Sequence, residues 1–502
     1  MSSSPPRPIV DENGVNWSLI PSELREMILK AIVRCKIPGW GSHAAVSKEW
    51  QCVIEAENFR RLKLRYECVF ELEHMVAPER QKLVRHIWLN IGLFDYNCGN
   101  CHIRENRYNR ESNNIKIETA LGRLFSIICH WPWQPEKGLK LELNAYSDSD
   151  SQHFFQHYYI GAEHEENPEE VRPNRGLGGQ LPAHDPTHGW IDGQRVFVPP
   201  TESIWRLFSA MFLTGFREAP RVAAVTSLVI RRQLRRCFSP FTLQVLLDKL
   251  PCLLEISYES WRTWNEDWKE IFFPSKSIFS RWIPRSVKKI VIFEDTNDDI
   301  TTAMNFYADP LWDSSALDSQ IGKVFADRSL QLEQLAASFM TDARHFFHHC
   351  QKSWVWPRLQ SLALTTSLLC STSSREGAAA LLRAAAKFAL NMPKLHKMVL
   401  WYGARREVCA FIYKIKAGTA SITARSTWYM DLNHYPGVTT AWNNVSFKAL
   451  HRDLHVSQDV IQEAIESHGD AIHYLRLPCT VIDPVSLWQI RREAARSRIN
   501  AN

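Results

Sequence analysis

One cysteine pair in the chain has the spacing of a metal site. Cys98-Gly-Asn-Cys101 can place two thiolates on one zinc ion, and together with His102 it also matches the spacing of covalent haem attachment. Haem attachment requires an oxidising compartment and a distal ligand, and nothing in the sequence signals either. A zinc site requires a second pair of ligands, for which Cys129-His130 is only a loose candidate. We therefore predict a reduced turn, with no metal and no cofactor in the chain.

Three histidines crowd a second short stretch. His345, His348 and His349 have i, i+3 and i+4 spacing, which places them on one face of a helix. A metal would need a further acidic or thiolate ligand, which the sequence does not place. Because Phe346 and Phe347 interleave with the histidines, the pattern favours an amphipathic helix that packs against the rest of the protein.

Three tryptophans form an aromatic stripe at helical spacing. Trp261, Trp264 and Trp268 could build a ligand cage, but such a stripe is more typical of a helix that faces a core. The local motifs of the common enzyme classes are missing, including the Gly-x-Ser-x-Gly elbow, the phosphate-binding loop, His-Glu-x-x-His and the dinucleotide fingerprint. We predict no catalytic residues and a protein that is not an enzyme.

The N-terminal region reads as a small helical docking module. Pro21 suits the first turn of a helix, and apolar residues then recur at helical spacing up to Gly39, where a turn precedes a second helical run. Two short amphipathic helices cannot bury both apolar faces against each other, so they need the rest of the chain or a partner. The candidate contact residues are Ile20, Pro21, Leu24, Ile28, Val46 and Trp50.

The segment from about Trp17 to Leu64, or residues 15–66 as a unit, resembles an F-box. The resemblance lies in Ile20-Pro21-Ser22-Glu23-Leu24, Met27-Ile28, Val46-Ser47-Lys48-Glu49-Trp50 and Phe59-Arg60-Arg61-Leu62. It implies a substrate receptor of an SCF-type cullin–RING ubiquitin ligase, which binds the Skp adaptor and, through it, a cullin. The six candidate contact residues would then bind the adaptor. The centre at residues 36–41 is short and carries glycine, which favours an alternative in which these helices only cap a non-enzymatic repeat scaffold.

A strand-plus-helix repeat runs through the middle of the chain. Prolines recur at intervals of about 31 to 36 residues, with one double interval that holds a unit without its proline. Each proline ends a helix where the next strand begins. The predicted strands begin at Val225, Leu254, Val287, Leu330, Gln360 and His396. Parallel strands joined by helices predict an α/β solenoid that resembles irregular leucine-rich repeats, the part that would bind an unknown target protein.

The remaining elements complete this prediction. Earlier strands are expected at 84–91 and 139–143, and a hairpin at 410–415 and 420–425. Predicted helices occupy 241–250, 258–272, 376–390, 438–450, 458–466 and 484–497. From Ile283 onward the chain resembles a C-terminal domain of unknown function found in fungal F-box-like proteins, on the strength of Trp354-Val-Trp-Pro-Arg-Leu, Met392-Pro-Lys-Leu-His and Gln489-Ile-Arg-Arg-Glu493.

The pattern divides the chain into six segments. Between 147 and 200, acidic residues give way to glycines and prolines, which cannot bury enough apolar area to order the backbone. The predicted segments are a disordered lead at 1–14, the F-box-like module at 15–66, first strand/helix units at 67–146, a polar surface insertion at 147–200, the divergent repeat solenoid at 201–405, and a C-terminal hairpin and helical cap at 406–502.

Composition restricts the partners. The 502 residues carry a net charge of +6 and a basic run, Arg231-Arg232 with Arg235-Arg236, that we interpret as a solvated helix face. A mild charge without clustering predicts no nucleic-acid partner. The sequence shows no secretory signal and no membrane-length apolar run, which predicts no membrane contact. The twelve cysteines are scattered, as expected for a reduced protein of the cytoplasm or nucleus.

Overall fold

A large, mostly parallel sheet dominates the computed structural model, which describes residues 17–35, 39–133, 138–158, 184–262, 283–296 and 315–496. Twelve of the described strands form this sheet in chain order, and neighbours from β1 to β13 are parallel. The strands are β1 Arg61–Leu64, β2 His86–Gly92, β3 Leu139–Tyr146, β4 Trp190–Ile191, β5 Gln194–Arg195, β6 Ala210–Met211, β7 Val225–Ile230, β8 Cys237–Phe238, β9 Glu255–Trp261, β10 Lys289–Asp295, β11 Gln334–Asp342, β12 Ser361–Thr365, β13 Lys397–Ala404, β14 Glu407–Lys416, β15 Thr419–Ser426 and β16 His455–Val460.

The short strands lie outside the large sheet. β4 pairs with β5, and β6 pairs with β8, in two small two-stranded sheets. At the far end of the large sheet, β13, β14 and β15 are antiparallel, where the sequence predicts a hairpin, and β16 is parallel to β15. The molecule is therefore a mixed α/β structure.

Helices connect most of the parallel strands. Several begin with the local chemistry that the sequence suggests: Ser239 caps the helix that follows it, with its hydroxyl accepting the Thr242 N–H at 3.2 Å, and Pro240 occupies the first turn. The α-helices are Ser22–Cys35, Lys48–Asn58, Tyr66–Met75, Pro78–Gln81, Arg107–Ile128, Thr201–Leu207, Pro240–Asp248, Ser315–Ser329, Ala343–His349, Arg375–Ala389, Val438–Leu450, His468–Leu475 and Pro484–Arg496.

Both faces of the sheet are covered from β10 to β14. Side chains alternate along each strand, so that Ile290 and Ile292 enter the main apolar cluster beneath the connecting helices, while Phe293 enters a second cluster on the other face. The two C-terminal helices, His468–Leu475 and Pro484–Arg496, contribute to this second cluster. These two helices consequently cover the face of the sheet that carries Phe293.

The basic run after β7 is buried, which corrects the expectation of a solvated helix face. Arg231, Arg232, Arg235 and Arg236 are 6%, 1%, 2% and 4% exposed. A buried guanidinium requires a carboxylate partner, and each of these has one. The pairs are Arg231–Glu142 at 2.9 Å, Arg232–Glu493 at 2.8 Å, Arg235–Glu493 at 2.7 Å, Arg236–Glu105 at 2.8 Å, and Arg232–Asp295.

This ionic cluster predicts a loss of stability in acid. Burial alone would raise the pKa of Asp295, but Arg232 and the His468 ring, 2.8 Å away, hold it at about 2. Because this folded-state pKa lies below the usual 3.8, the stabilisation is present above about pH 4 and is lost as the pH falls through about 2. We expect the free energy of unfolding, measured by urea denaturation, to fall by about 2 kcal/mol more in the wild type than in Asp295→Asn over this range. Parallel pH curves for the two proteins would contradict this account.

Several predicted elements differ from the observed ones. The helices predicted at 258–272 and 458–466 are wrong where they are described, because Glu255–Trp261 and His455–Val460 are strands. The repeat unit predicted from Leu330 has its strand four residues later, at Gln334–Asp342. The lead at 1–14 lies outside the described residues. Within those residues, none of the helices combines the length and the apolar character needed to cross a bilayer.

Candidate docking surface and metal-ligand cluster

The N-terminal module consists of two helices with a very small core. Ser47 caps the second helix, Lys48–Asn58, through its hydroxyl and the Trp50 N–H. Among the described residues of the two helices, the buried apolar side chains are Leu29 and Val33 on the first helix and Ile54 on the second. Such a small core stabilises a fold only when other contacts support it.

Polar and aromatic contacts hold the two helices together. The Glu49 carboxylate accepts hydrogen bonds from Arg25 Nε at 2.8 Å and Trp17 Nε1 at 3.1 Å, and these bonds lower its pKa. The Trp50 ring lies 5.6 Å from that of Trp17 and 5.9 Å from that of His43, between ring centroids. Trp50 is therefore half-buried inside the module.

The module is also joined to the large sheet. The chain leaves its second helix to form β1, which pairs in parallel with β2. The Arg80 guanidinium binds the Glu55 carboxylate through two hydrogen bonds of 2.7 and 3.2 Å, and it lies 5.0 Å from the centre of the Phe59 ring. These contacts fix the second helix against the first strands.

The first helix presents an uncovered apolar face. Leu24, Met27 and Ile28 are 49%, 65% and 39% exposed and share one face by their i, i+3 and i+4 spacing. Val46 is 62% exposed, and Leu19 is 81% exposed. Of the six predicted contact residues, the structure thus places Pro21, Leu24, Ile28 and Val46 at the surface, and Ile20 and Trp50 are half-buried.

A second cluster of chemical groups lies beyond β2. Cys98 begins a 3-10 turn and Cys101 directly follows it, and each sulfur lies 3.3 Å from Nε2 of His188. With His153, the four possible ligand atoms all lie within 4.8 Å of one another. His102 is exposed and does not belong to this group. The expectation that the cysteine pair lacks a second pair of ligands is therefore wrong.

Both histidines come from the segment predicted as a polar surface insertion. Its two described flanks are partly buried, because His153 is followed by Phe154 and Phe155, which are 5% and 2% exposed, and His188 precedes the buried Trp190. These flanks differ from the prediction because their aromatic residues pack in a core, whereas the prediction was based on the acidic and glycine-rich composition of the segment as a whole. Residues 159–183 lie outside the described part of the chain.

Burial shifts the pKa values of two groups in this cluster, Cys101 and His153. Burial, followed by the neighbouring Cys98 thiol, raises the pKa of Cys101 to about 11, and burial and His188 lower the pKa of His153. Both groups are therefore neutral near pH 7 when no cation is bound.

The structure places the described residues of the other two candidate sites, the histidine-rich helix and the tryptophan stripe, in packing positions. Phe346 and Phe347 are buried in the main core, as expected for a packed helix, and Ser319 Oγ contacts the His349 ring at 3.1 Å. Trp261 ends strand β9 and is buried beside Phe208, so it does not start a helical stripe. Trp264 and Trp268 lie outside the described residues.

Comparison with known proteins identifies one region of the chain. Residues 282–483 match a family described as "Family of unknown function (DUF6546)". This match confirms the predicted C-terminal domain of unknown function and covers strands β10 to β16. No curated protein has significant similarity to the chain.

Proposed function

We propose that this protein is the substrate-receptor subunit of an SCF-type cullin–RING ubiquitin ligase in the cytoplasm or nucleus. The observation that carries the proposal is the uncovered apolar face of the N-terminal module. Leu24, Met27 and Ile28 remain exposed although the module buries so few apolar side chains of its own. An apolar face of this kind is typical of a helix that binds a partner, and its sequence is the one that resembles an F-box.

The remainder of the chain would present the target. Parallel strands in chain order, joined by helices, support the interpretation as a divergent leucine-rich-repeat-like solenoid. Because the two C-terminal helices cover one face of β10 to β14, we place the target surface outside this covered area. The receptor contributes proximity, by holding a target where a ubiquitin-charged enzyme can reach its lysines.

One observation favours the alternative of a non-enzymatic repeat scaffold. The module is tied to the sheet by the β1–β2 pairing and by the Glu55–Arg80 ion pair. Such contacts are those of a cap that covers the first strand of the sheet. In this case the F-box-like helices would bind no ligase.

Adaptor binding separates the two functions. We expect the full chain to bind the purified Skp adaptor, and the double substitution Leu24→Asp with Met27→Asp to weaken binding about 30-fold or more, equivalent to about 2 kcal/mol. The physical reason is that two charges would enter the apolar contact. Isothermal titration or surface plasmon resonance measures the affinity.

The helix Arg107–Ile128 offers a matched control. Ile115 is 65% exposed, as is Met27, so Ile115→Asp introduces one of the two charges of the double variant at a helical position as exposed as Met27. This variant should bind the adaptor like the wild type. Failure of the wild-type chain to bind would establish the cap, and equal weakening by Ile115→Asp would mean that the N-terminal face is not the contact.

A further inference from the structure

The four side chains beyond β2 have the composition and spacing of a zinc site. Two thiolates and two imidazoles are a common structural donor set for Zn²⁺, with Zn–S distances of about 2.3 Å and Zn–N distances of about 2.0 Å. In a tetrahedral site these distances place sulfur and nitrogen roughly 3.5 Å apart. The observed distances from the Cys98 and Cys101 sulfurs to His188 Nε2 are both 3.3 Å.

His188 is held in the orientation that a metal requires. Its Nδ1 donates a hydrogen bond of 2.5 Å to the Asp185 carboxylate, and this contact orients the ring so that Nε2 faces the two sulfurs. The carboxylate also accepts a hydrogen bond from Gln156 Nε2 at 3.1 Å. Gly189 closes the turn after His188 in the left-handed region, at φ 79°, which a side chain would strain. The imidazole is thus positioned by a short turn and by a partly buried carboxylate.

His153 shows the same arrangement from a different part of the chain. Its ring makes a hydrogen bond with the backbone of Tyr96, and its Nε2 is buried with no hydrogen-bond partner among the described residues. The bond to Tyr96 therefore involves Nδ1, as in metal-bound histidines. A buried nitrogen without a partner is unfavourable, and a metal bound at this point would satisfy it.

We propose that Cys98, Cys101, His153 and His188 bind one structural zinc ion. Four protein ligands fill a tetrahedral shell, so no position remains for a water or a substrate, and the site is structural in kind. Two thiolates balance the charge of Zn²⁺, which suits an enclosed site. This inference does not depend on the proposed ligase function.

The zinc ion would cross-link three separate segments. Cys101 and His188 are 87 residues apart, and the turn at Cys98–Asn100 and the segments around His153 and His188 meet above the ends of β2 and β3. The helix Thr201–Leu207 joins the same region, where Ser203 Oγ donates to the Cys101 carbonyl at 2.8 Å. Binding energy at such a site is folding energy, and here it would fix the flanks of the 147–200 segment on the sheet.

A disulfide between Cys98 and Cys101 is the competing chemistry. The disulfide would remove both thiolates as ligands. Of the four ligands, only His153 and His188 would then remain, and their ring centroids lie 4.9 Å apart. Both cysteines are free thiols in the structure. Mass spectrometry of the alkylated protein distinguishes the two states, because a disulfide blocks alkylation until it is reduced.

Metal content of the full chain tests the proposal. We expect protein purified without chelators to contain about one zinc ion per chain by inductively coupled plasma mass spectrometry. Cys98→Ser and His188→Gln should each lose the metal. Asp185→Asn should retain the ligands but bind zinc about 10- to 100-fold more weakly in competition with a chelator.

The chain contains a matched control in Cys129, which is half-buried and lies outside the cluster. Cys129→Ser should keep its zinc. If the ligand variants fail to fold, cobalt exchanged into the wild-type chain provides the second measurement, since two thiolates produce cobalt–sulfur charge-transfer bands with a tetrahedral ligand-field spectrum. A folded wild-type chain without zinc, even after zinc is supplied, or a cobalt spectrum without sulfur bands, would overturn the proposal.

Discussion

Replacing Glu493 by alanine should lower the free energy of unfolding by about 3 to 5 kcal/mol. The Glu493 carboxylate binds Arg232 at 2.8 Å and Arg235 at 2.7 Å, and all three side chains are at most 2% exposed. Removing the carboxylate leaves the Arg235 charge buried without this partner, and it leaves Arg232 with the Asp295 carboxylate. Urea denaturation followed by circular dichroism measures the change.

A surface pair provides the control for this substitution. Glu376 binds Arg383 at the same distance of 2.7 Å, but the two side chains are 66% and 36% exposed. Glu376→Ala should therefore cost less than about 1 kcal/mol. If Glu493→Ala were as mild as Glu376→Ala, the C-terminal helix would not be held by its ion pairs, and the apolar contacts of that helix would have to hold it.

Local patterns in the sequence predicted much of the sheet. Val225–Ile230 and Val438–Leu450 are observed at the residues predicted from periodicity. The strands after Pro251, Pro284 and Pro357 begin one or two residues later than predicted. The helix is recognisable because one face buries regularly spaced apolar side chains, Val438, Trp442 and Val445. The strand is recognisable as a short apolar run, and it is buried along nearly its whole length. The segment after Tyr258 misled this reasoning because its tryptophans also fit a helix, whereas Trp261 in fact ends a strand.

The features that could not be predicted from the sequence, the buried ionic cluster and the two histidines near Cys98, depend on contacts between residues that are far apart in the chain. Arg232 and Glu493 are 261 residues apart, so nothing near the arginines distinguishes a buried ionic cluster from a charged surface. The same applies to His188, which lies 90 residues from Cys98 in a stretch whose average composition is polar. The available local signals were the aromatic residues close to each histidine, Phe154 directly after His153 and Trp190 two residues after His188, which indicate burial within that stretch. The exposed apolar face of Leu24, Met27 and Ile28, by contrast, lies within one short segment, so its helical spacing is visible in the sequence itself.

Replacing Trp442 by alanine should also lower the free energy of unfolding by about 3 to 5 kcal/mol. The indole is fully buried where the helix Val438–Leu450 meets the sheet, with ring centroids 5.1 Å from Phe411 and 4.8 Å from Tyr413. Its Nε1 donates a hydrogen bond of 3.1 Å to the Leu382 carbonyl, which alanine would leave without this donor. The cavity and the lost hydrogen bond act together, because a close-packed interior relaxes only partly around a gap.

Trp133 gives the corresponding control, because this tryptophan is 52% exposed. Trp133→Ala should change the free energy of unfolding by no more than about 0.5 kcal/mol. Thermal and urea denaturation of both variants separate the loss of a buried indole from the loss of an indole as such. A small effect at Trp442 would mean that the helix Val438–Leu450 is dispensable for the sheet, and it would place the stability of the 282–483 region in its strands alone.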